Sequence, residues 1–150
     1  MPQSLARVNI HLVFSTKNRT RSLPDDIRGS MHRYIASILE DRGCHAILMN
    51  SVEDHIHILF ELSRTIEISK IVQDIKTTSS KWTKAQRPGL ESFAWQSGYA
   101  AFSVDSRGYV EVREYIANQR QHHLVESFQD EYRRFLTENG VEFDERYVWD

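Results

Sequence analysis

The run His55-Ile56-His57-Ile58-Leu59-Phe60 constrains this chain more than any other segment. Its apolar residues alternate in the way of a buried strand, and residues i and i+2 of a strand project from the same face. The two imidazoles therefore point together. Two converging neutral imidazoles on a rigid strand suit a divalent transition metal. The competing reading is a hydrogen-bonded histidine pair on a sheet surface, since a metal site needs further ligands and groups to orient them. Several other uses of the pair fail on the sequence. The next alternate position is Leu59, where a histidine-triad nucleotide hydrolase places a third histidine, and no paired His-x-Thr occurs. With Cys44 the single cysteine and no second histidine pair at ligand spacing, a tetrahedral structural zinc site is not formed.

At 150 residues, 40% hydrophobic and 27% charged, the chain fits one globular domain with a full core, and no linker-like tract divides it. No apolar run reaches the length of a membrane span, the N-terminus has no signal-peptide pattern, and a lone cysteine fits a reducing compartment, so the expected location is cytoplasmic. The net charge of −2 is unevenly spread. Residues 126–150 carry eight acidic groups against three arginines, a net of −5 that leaves +3 for the other 125 residues. Basic groups gather at Lys17, Arg19 and Arg21 and along Lys70, Lys76, Lys81, Lys84 and Arg87. Such stretches fit either phosphate contacts or a solvated surface. Trp82, Phe93 and Trp95 nearby suit either base stacking or the core.

Along the chain, Val8–Ser15 reads as a first strand, and Pro24-Asp25-Asp26 opens a helix that continues to Gly43. Cys44–Ser51 is a second strand, and the histidine strand runs to about Leu62. A second helix is predicted from near Thr65 through Trp82, a fourth strand over Tyr99–Val104, and one continuous helix from about Tyr109 to His122. A short helix through Phe128, Tyr132, Phe135 and Leu136 ends at Asn139-Gly140. The order β-α-β-β-α-β predicts a ferredoxin-like α+β sandwich: an antiparallel sheet with helices on one face, plus a C-terminal helix. The other face is expected to stay open for nucleic acid or a dimer partner. Residues 1–125 form the main domain in this reading, and 126–150 an acidic tail.

Tyr115 and Gln119 stand four residues apart, the spacing that stacks two side chains on one helix face. The Gln119 carbonyl is a hard ligand that would extend the histidine pair and leave positions open for phosphate and water. Tyr115 is then either a nucleophile beside that metal or a packing residue. His122 and His123, being adjacent, diverge on a helix and read as surface residues.

The ordered set Asn9-Ile10-His11-Leu12-Val13-Phe14-Ser15-Thr16-Lys17, Asp54-His55-Ile56-His57-Ile58-Leu59, Ser69–Lys76, Trp95-Gln96-Ser97-Gly98-Tyr99 and Glu114-Tyr115-Ile116-Ala117-Asn118-Gln119 closely resembles a known family. It is that of the small HUH transposases with a single catalytic tyrosine, which mobilise bacterial insertion sequences of the 200/605 type and include the REP-associated branch. The resemblance spans residues 5–123 and gives no role to the tail. It implies that His55, His57 and Gln119 hold Mg²⁺ or Mn²⁺. It also implies that Tyr115 attacks single-stranded DNA at hairpin-marked ends, leaving a 5′-phosphotyrosine link. Lys17, Arg19, Arg21, Lys76, Lys81 and Lys84 would contact the DNA. Family members work as homodimers in which one subunit's tyrosine helix completes the other's site, and Gly108 is the candidate hinge for that helix. The implied setting is a bacterial cytoplasm, on the nucleoid when bound to DNA. The alternative is a domesticated hairpin-binding protein that no longer cuts.

Overall fold

In the computed structural model, which describes residues 2–150, the strands are β1 (Asn9–Ser15), β2 (His45–Ser51), β3 (His55–Glu61) and β4 (Ala100–Val104). The α-helices are α1 (Asp25–Asp41), α2 (Ile68–Lys84), α3 (Tyr109–Ala117), α4 (Gln119–Val125) and α5 (Phe128–Glu138). The strands form one antiparallel sheet in the order β2-β3-β1-β4. This is the predicted ferredoxin-like arrangement, in which the two central strands are those with the strongest apolar alternation. Even-numbered positions of β1 and β3 (Ile10, Leu12, Phe14, Ile56, Ile58, Phe60) meet Met31, Ile35 and Leu39 of α1 and Ile71 and Ile75 of α2 in the main core. Phe93 and Trp95 lie in that core, and Trp82 stacks half-buried on Tyr34 at 5.8 Å, so none of the three aromatics is a free stacking platform.

The expectation of an open second face is corrected. Odd-numbered positions of the central strands carry Val13 and Leu59, and β4 adds Ala100, Phe102 and Val104. Left bare, this surface would be a large apolar patch. Ile116 of α3 covers part of it, and Phe128, Tyr132 and Leu136 of α5 cover the rest. The tail is thus structural: Trp149 packs on Phe128 and Tyr132, and the backbone N–H of Gly98 donates to the Asp150 carbonyl at 2.8 Å.

Two boundaries differ from the sequence reading for local reasons. α2 starts at Ile68 rather than near Thr65, because the Ser63 hydroxyl bonds the Thr65 hydroxyl (3.0 Å) and backbone N–H (3.3 Å) in a turn. The single helix expected over Tyr109–His122 breaks at Asn118. The Ile116 carbonyl instead accepts from the Asn50 side chain on β2 at 3.0 Å, pinning the break to the sheet. Gly108 precedes α3 in a right-handed conformation (φ −87, ψ −6) open to any residue, so its backbone carries no hinge geometry specific to glycine.

Candidate active site

His55 and His57 sit on β3 opposite Ser15 and Val13 of β1, fully buried, with their rings toward the face covered by α3, α4 and α5. Each ring has one nitrogen anchored. His55 Nδ1 lies 2.7 Å from Asp54 Oδ1, and His57 Nδ1 lies 2.8 Å from His11 Nε2. His11, on β1, is itself buried; burial and the neighbouring His57 lower its pKa to about 3. It is therefore neutral and able to accept a hydrogen bond from His57. Anchoring both Nδ1 atoms leaves both Nε2 atoms facing the same space, the orientation that an outer partner imposes on a metal-ligating histidine.

Gln119 and Glu131 close that space. The Gln119 amide nitrogen lies 2.8 Å from His55 Nε2 and donates to Glu131 Oε2 at 3.1 Å. Glu131 Oε1 lies 2.8 Å from His57 Nε2 and 3.4 Å from His55 Nε2. Gln119 Oε1 is buried with no hydrogen-bond partner, an orphaned acceptor at the edge of the cluster. Two imidazole nitrogens and an amide oxygen form a donor set that fits Mg²⁺ or Mn²⁺, and an orphaned buried oxygen is what such an ion would satisfy.

Tyr115 approaches from α3. Its hydroxyl donates a short hydrogen bond to Glu131 and accepts one from Arg134 Nη2 at 2.9 Å, and its ring stacks on His122 at 4.1 Å. Burial and the Glu131 carboxylate push the phenol well above the ordinary tyrosine range, while the Arg134 guanidinium pulls the other way. Burial opposes ionisation of Glu131, but His57 and His55 outweigh it and hold the carboxyl far below the usual range. Burial likewise lowers the His55 pKa, yet its bonds to Asp54 and Glu131 leave it raised. For His57 burial prevails, and the pKa falls.

Of the predicted site residues, His55, His57, Tyr115 and Gln119 come together within one chain. Tyr115 and Gln119 do so from two helices rather than one face of a single helix. His122 and His123 are not simple surface residues: the first stacks on Tyr115, and the second bonds Glu53 at 2.8 Å. The basic residues make no direct bond to this cluster among the described residues. Lys17 and Arg21 are exposed, Arg21 lies 3.9 Å from Glu53, and Arg19 sits 5.6 Å over the Trp149 ring. Lys81 and Lys84 are exposed at the end of α2. Lys76 differs. Its ammonium donates to the carbonyls of Gln96, Ser97 and Gly98 at 2.8, 3.1 and 2.5 Å, and burial lowers its pKa to about 8.

Sequence reasoning missed His11, Asp54, Glu131 and Arg134 as members of the site. The strand alternation that pairs His55 with His57 also places His11 on the same sheet face. Glu131 falls on the apolar stripe of α5, three residues after Phe128 and four before Phe135, and an acid on an apolar stripe is the anomaly that marks it.

The chain is similar to several known proteins. The sequence pattern of the family described as "Transposase IS200 like" matches residues 4–119. ISDra2 transposase TnpA of Deinococcus radiodurans is 21% identical over 118 residues, covering 75% of this chain and 84% of that protein. A solved structure described as a transposase from Deinococcus radiodurans R1 superposes with a TM-score of 0.61 at 20% identity, covering 79% of this chain and 98% of that one. A REP-associated tyrosine transposase bound to a REP hairpin superposes with a TM-score of 0.61 at 17% identity, covering 82% and 73%. The two structures share the fold, and the sequence pattern extends over most of the chain through Gln119. The chain belongs to the IS200-like transposase family.

Proposed function

We propose that this protein cuts and rejoins single-stranded DNA at hairpin-marked sites, with Tyr115 as nucleophile and His55, His57 and Gln119 as ligands of Mg²⁺ or Mn²⁺. The observation that carries this reading is the convergence of the Tyr115 hydroxyl, the Gln119 amide and both histidine Nε2 atoms on one buried cluster. In the step proposed, the phenol oxygen bonds to phosphorus, the bond from phosphorus to the 3′ oxygen breaks, and the phenol proton ends on the departing 3′ hydroxyl. The phosphodiester is exchanged for a 5′-phosphotyrosine of similar energy, so no nucleotide cofactor is required and a 3′ hydroxyl reverses the step. A bound divalent ion would supply charge neutralisation on the phosphate oxygens. Within the protein, Asp54 and His11 hold the two imidazoles in orientation, and Arg134 stabilises negative charge developing on the Tyr115 oxygen.

The fold neighbour bound to a REP hairpin supports a folded single strand as substrate. Lys17, Arg19, Arg21, Lys81 and Lys84 are the candidate phosphate contacts, whereas Lys76 is committed to the backbone of its own loop. In this reading the protein works as a homodimer, and within each chain Tyr115, Gln119, His55 and His57 lie together. No helix of the described residues is long and apolar enough to cross a membrane, and the proposed place of action is the bacterial cytoplasm, on nucleoid DNA.

Incubation with single-stranded hairpin DNA and Mn²⁺ should yield a covalent protein–DNA adduct that survives denaturing electrophoresis. Tyr115→Phe should abolish it while leaving hairpin binding within about twofold, and His57→Ala should lose the metal-stimulated cleavage. Tight hairpin binding without an adduct in any divalent metal would instead identify a domesticated hairpin-binding protein.

A further inference from the structure

Two carboxylates flank the proposed ligands: Asp54, on the outer nitrogen of His55, and Glu131, which belongs to α5, beyond the residues matched by the family pattern. Glu131 is 2% exposed. A buried carboxylate needs a compensating cation, or its desolvation costs several kcal/mol. The nearest guanidinium does not provide one: Arg134 is spent on the Tyr115 hydroxyl (2.9 Å) and on Glu126 (2.8 Å). What Glu131 faces instead is His57 Nε2, His55 Nε2 and the Gln119 amide nitrogen, at 2.8, 3.4 and 3.1 Å, together with the Tyr115 hydroxyl, which donates to it.

Those separations have a second meaning. Ligands at right angles around an ion with bonds of about 2.1 Å stand about 3 Å apart. Glu131 Oε1 stands 2.8 and 3.4 Å from the two histidine Nε2 atoms, the spacing of neighbouring vertices around one small divalent cation. The chemistry agrees with the geometry, because Mg²⁺ and Mn²⁺ prefer anionic oxygen donors and three uncharged ligands supply none. α5 is also held firmly enough to present a ligand. The Ser127 hydroxyl caps it by accepting from the Asp130 N–H at 3.2 Å, Phe128, Tyr132 and Leu136 are buried under it, and Trp149 packs on Phe128 and Tyr132.

We infer that Glu131 is a direct carboxylate ligand of the catalytic metal, so that α5 of the acidic tail completes the site begun by His55, His57 and Gln119. This rests on the metal reading proposed above and adds to it a residue from outside the shared family segment.

The test is Mn²⁺ binding to the DNA-free full chain, followed by calorimetry and by loss of the free-ion electron paramagnetic signal, with melting in metal-free buffer as the control for folding. Wild type should bind one Mn²⁺, and His57→Ala should abolish binding. Glu131→Gln should weaken binding at least about tenfold, and Glu131→Asp, which keeps the carboxylate on a shorter arm, should recover part of that loss. If Glu131→Gln fails to fold, Glu131→Asp alone carries the test, with affinity below wild type. Wild-type or tighter affinity in the Glu131 variants would overturn the inference, making the carboxylate a hydrogen-bond acceptor that stands in the metal's place. Absence of Mn²⁺ binding to wild type would overturn the metal reading itself.

Discussion

At the scale of single residues, the site depends on which nitrogen each histidine offers. Asp54 and His11 take the two Nδ1 atoms and so present the two Nε2 atoms inward. Neither partner reaches the reacting groups, and their effect is to fix ring orientation and tautomer. Asp54→Ala should therefore lower Mn²⁺ affinity by about 10–100-fold without removing a ligand. A calorimetric titration checks this, and unchanged affinity would show that β3 alone orients His55. The Tyr115 hydroxyl is balanced between opposing neighbours, with burial and Glu131 disfavouring the phenolate and Arg134 favouring it. A carboxylate whose charge is committed to a cation would no longer oppose the phenolate, which links the proposed role of Glu131 to readiness of the nucleophile.

At the scale of elements, the parts legible in the sequence are those whose pattern answers to one dominant force. The even positions of β1 and β3 are apolar because that face meets α1 and α2, while the opposite face carries the histidines, and α1 and α2 follow helical periodicity because only one stripe of each meets the sheet. The histidine pair was legible for a similar reason, through fixed spacing on a regular strand, whereas Tyr115 and Gln119 come together across a helix break that their four-residue spacing did not reveal. The break at Asn118 was not legible, because a side chain distant in sequence, Asn50, provides the bond that stabilises it. Glu131 was hidden among eight acids of a segment that reads as solvated, and its burial follows from where α5 docks. The element pair α1–β2 gives a pH prediction. His32 of α1 bonds Ser51 of β2 at 2.8 Å, and burial, with Arg28 and Arg33 nearby, lowers its pKa to about 4. The unfolded chain takes up its proton near the ordinary value of 6.5, so between pH 6.5 and about 4 the unfolded state binds more protons. His32 thus contributes stability that is full above pH 6.5 and lost as pH falls through about 4. The melting temperature should drop over that window, and His32→Gln should flatten the drop. An identical slope in the variant would contradict the assignment.

At the scale of the whole molecule, a tail carrying a net charge of −5 lies on the sheet face that holds the histidines, and the candidate DNA-contacting residues lie on the loop after β1, where Arg19 sits over the tail's Trp149, and at the end of α2. The apolar packing of Phe128, Tyr132 and Leu136 against Val13 and Phe102 gives α5 its position, and Glu131 projects from the same docked face. Everything proposed for this architecture converges on one covalent bond. The adduct formed with single-stranded hairpin DNA and Mn²⁺ can be digested with a protease and a nuclease, and the modified peptide sequenced by mass spectrometry. The expected product is a nucleotide remnant joined through its 5′ phosphate to Tyr115; a remnant on any other residue, or a 3′ linkage, would contradict the role of Tyr115 as nucleophile.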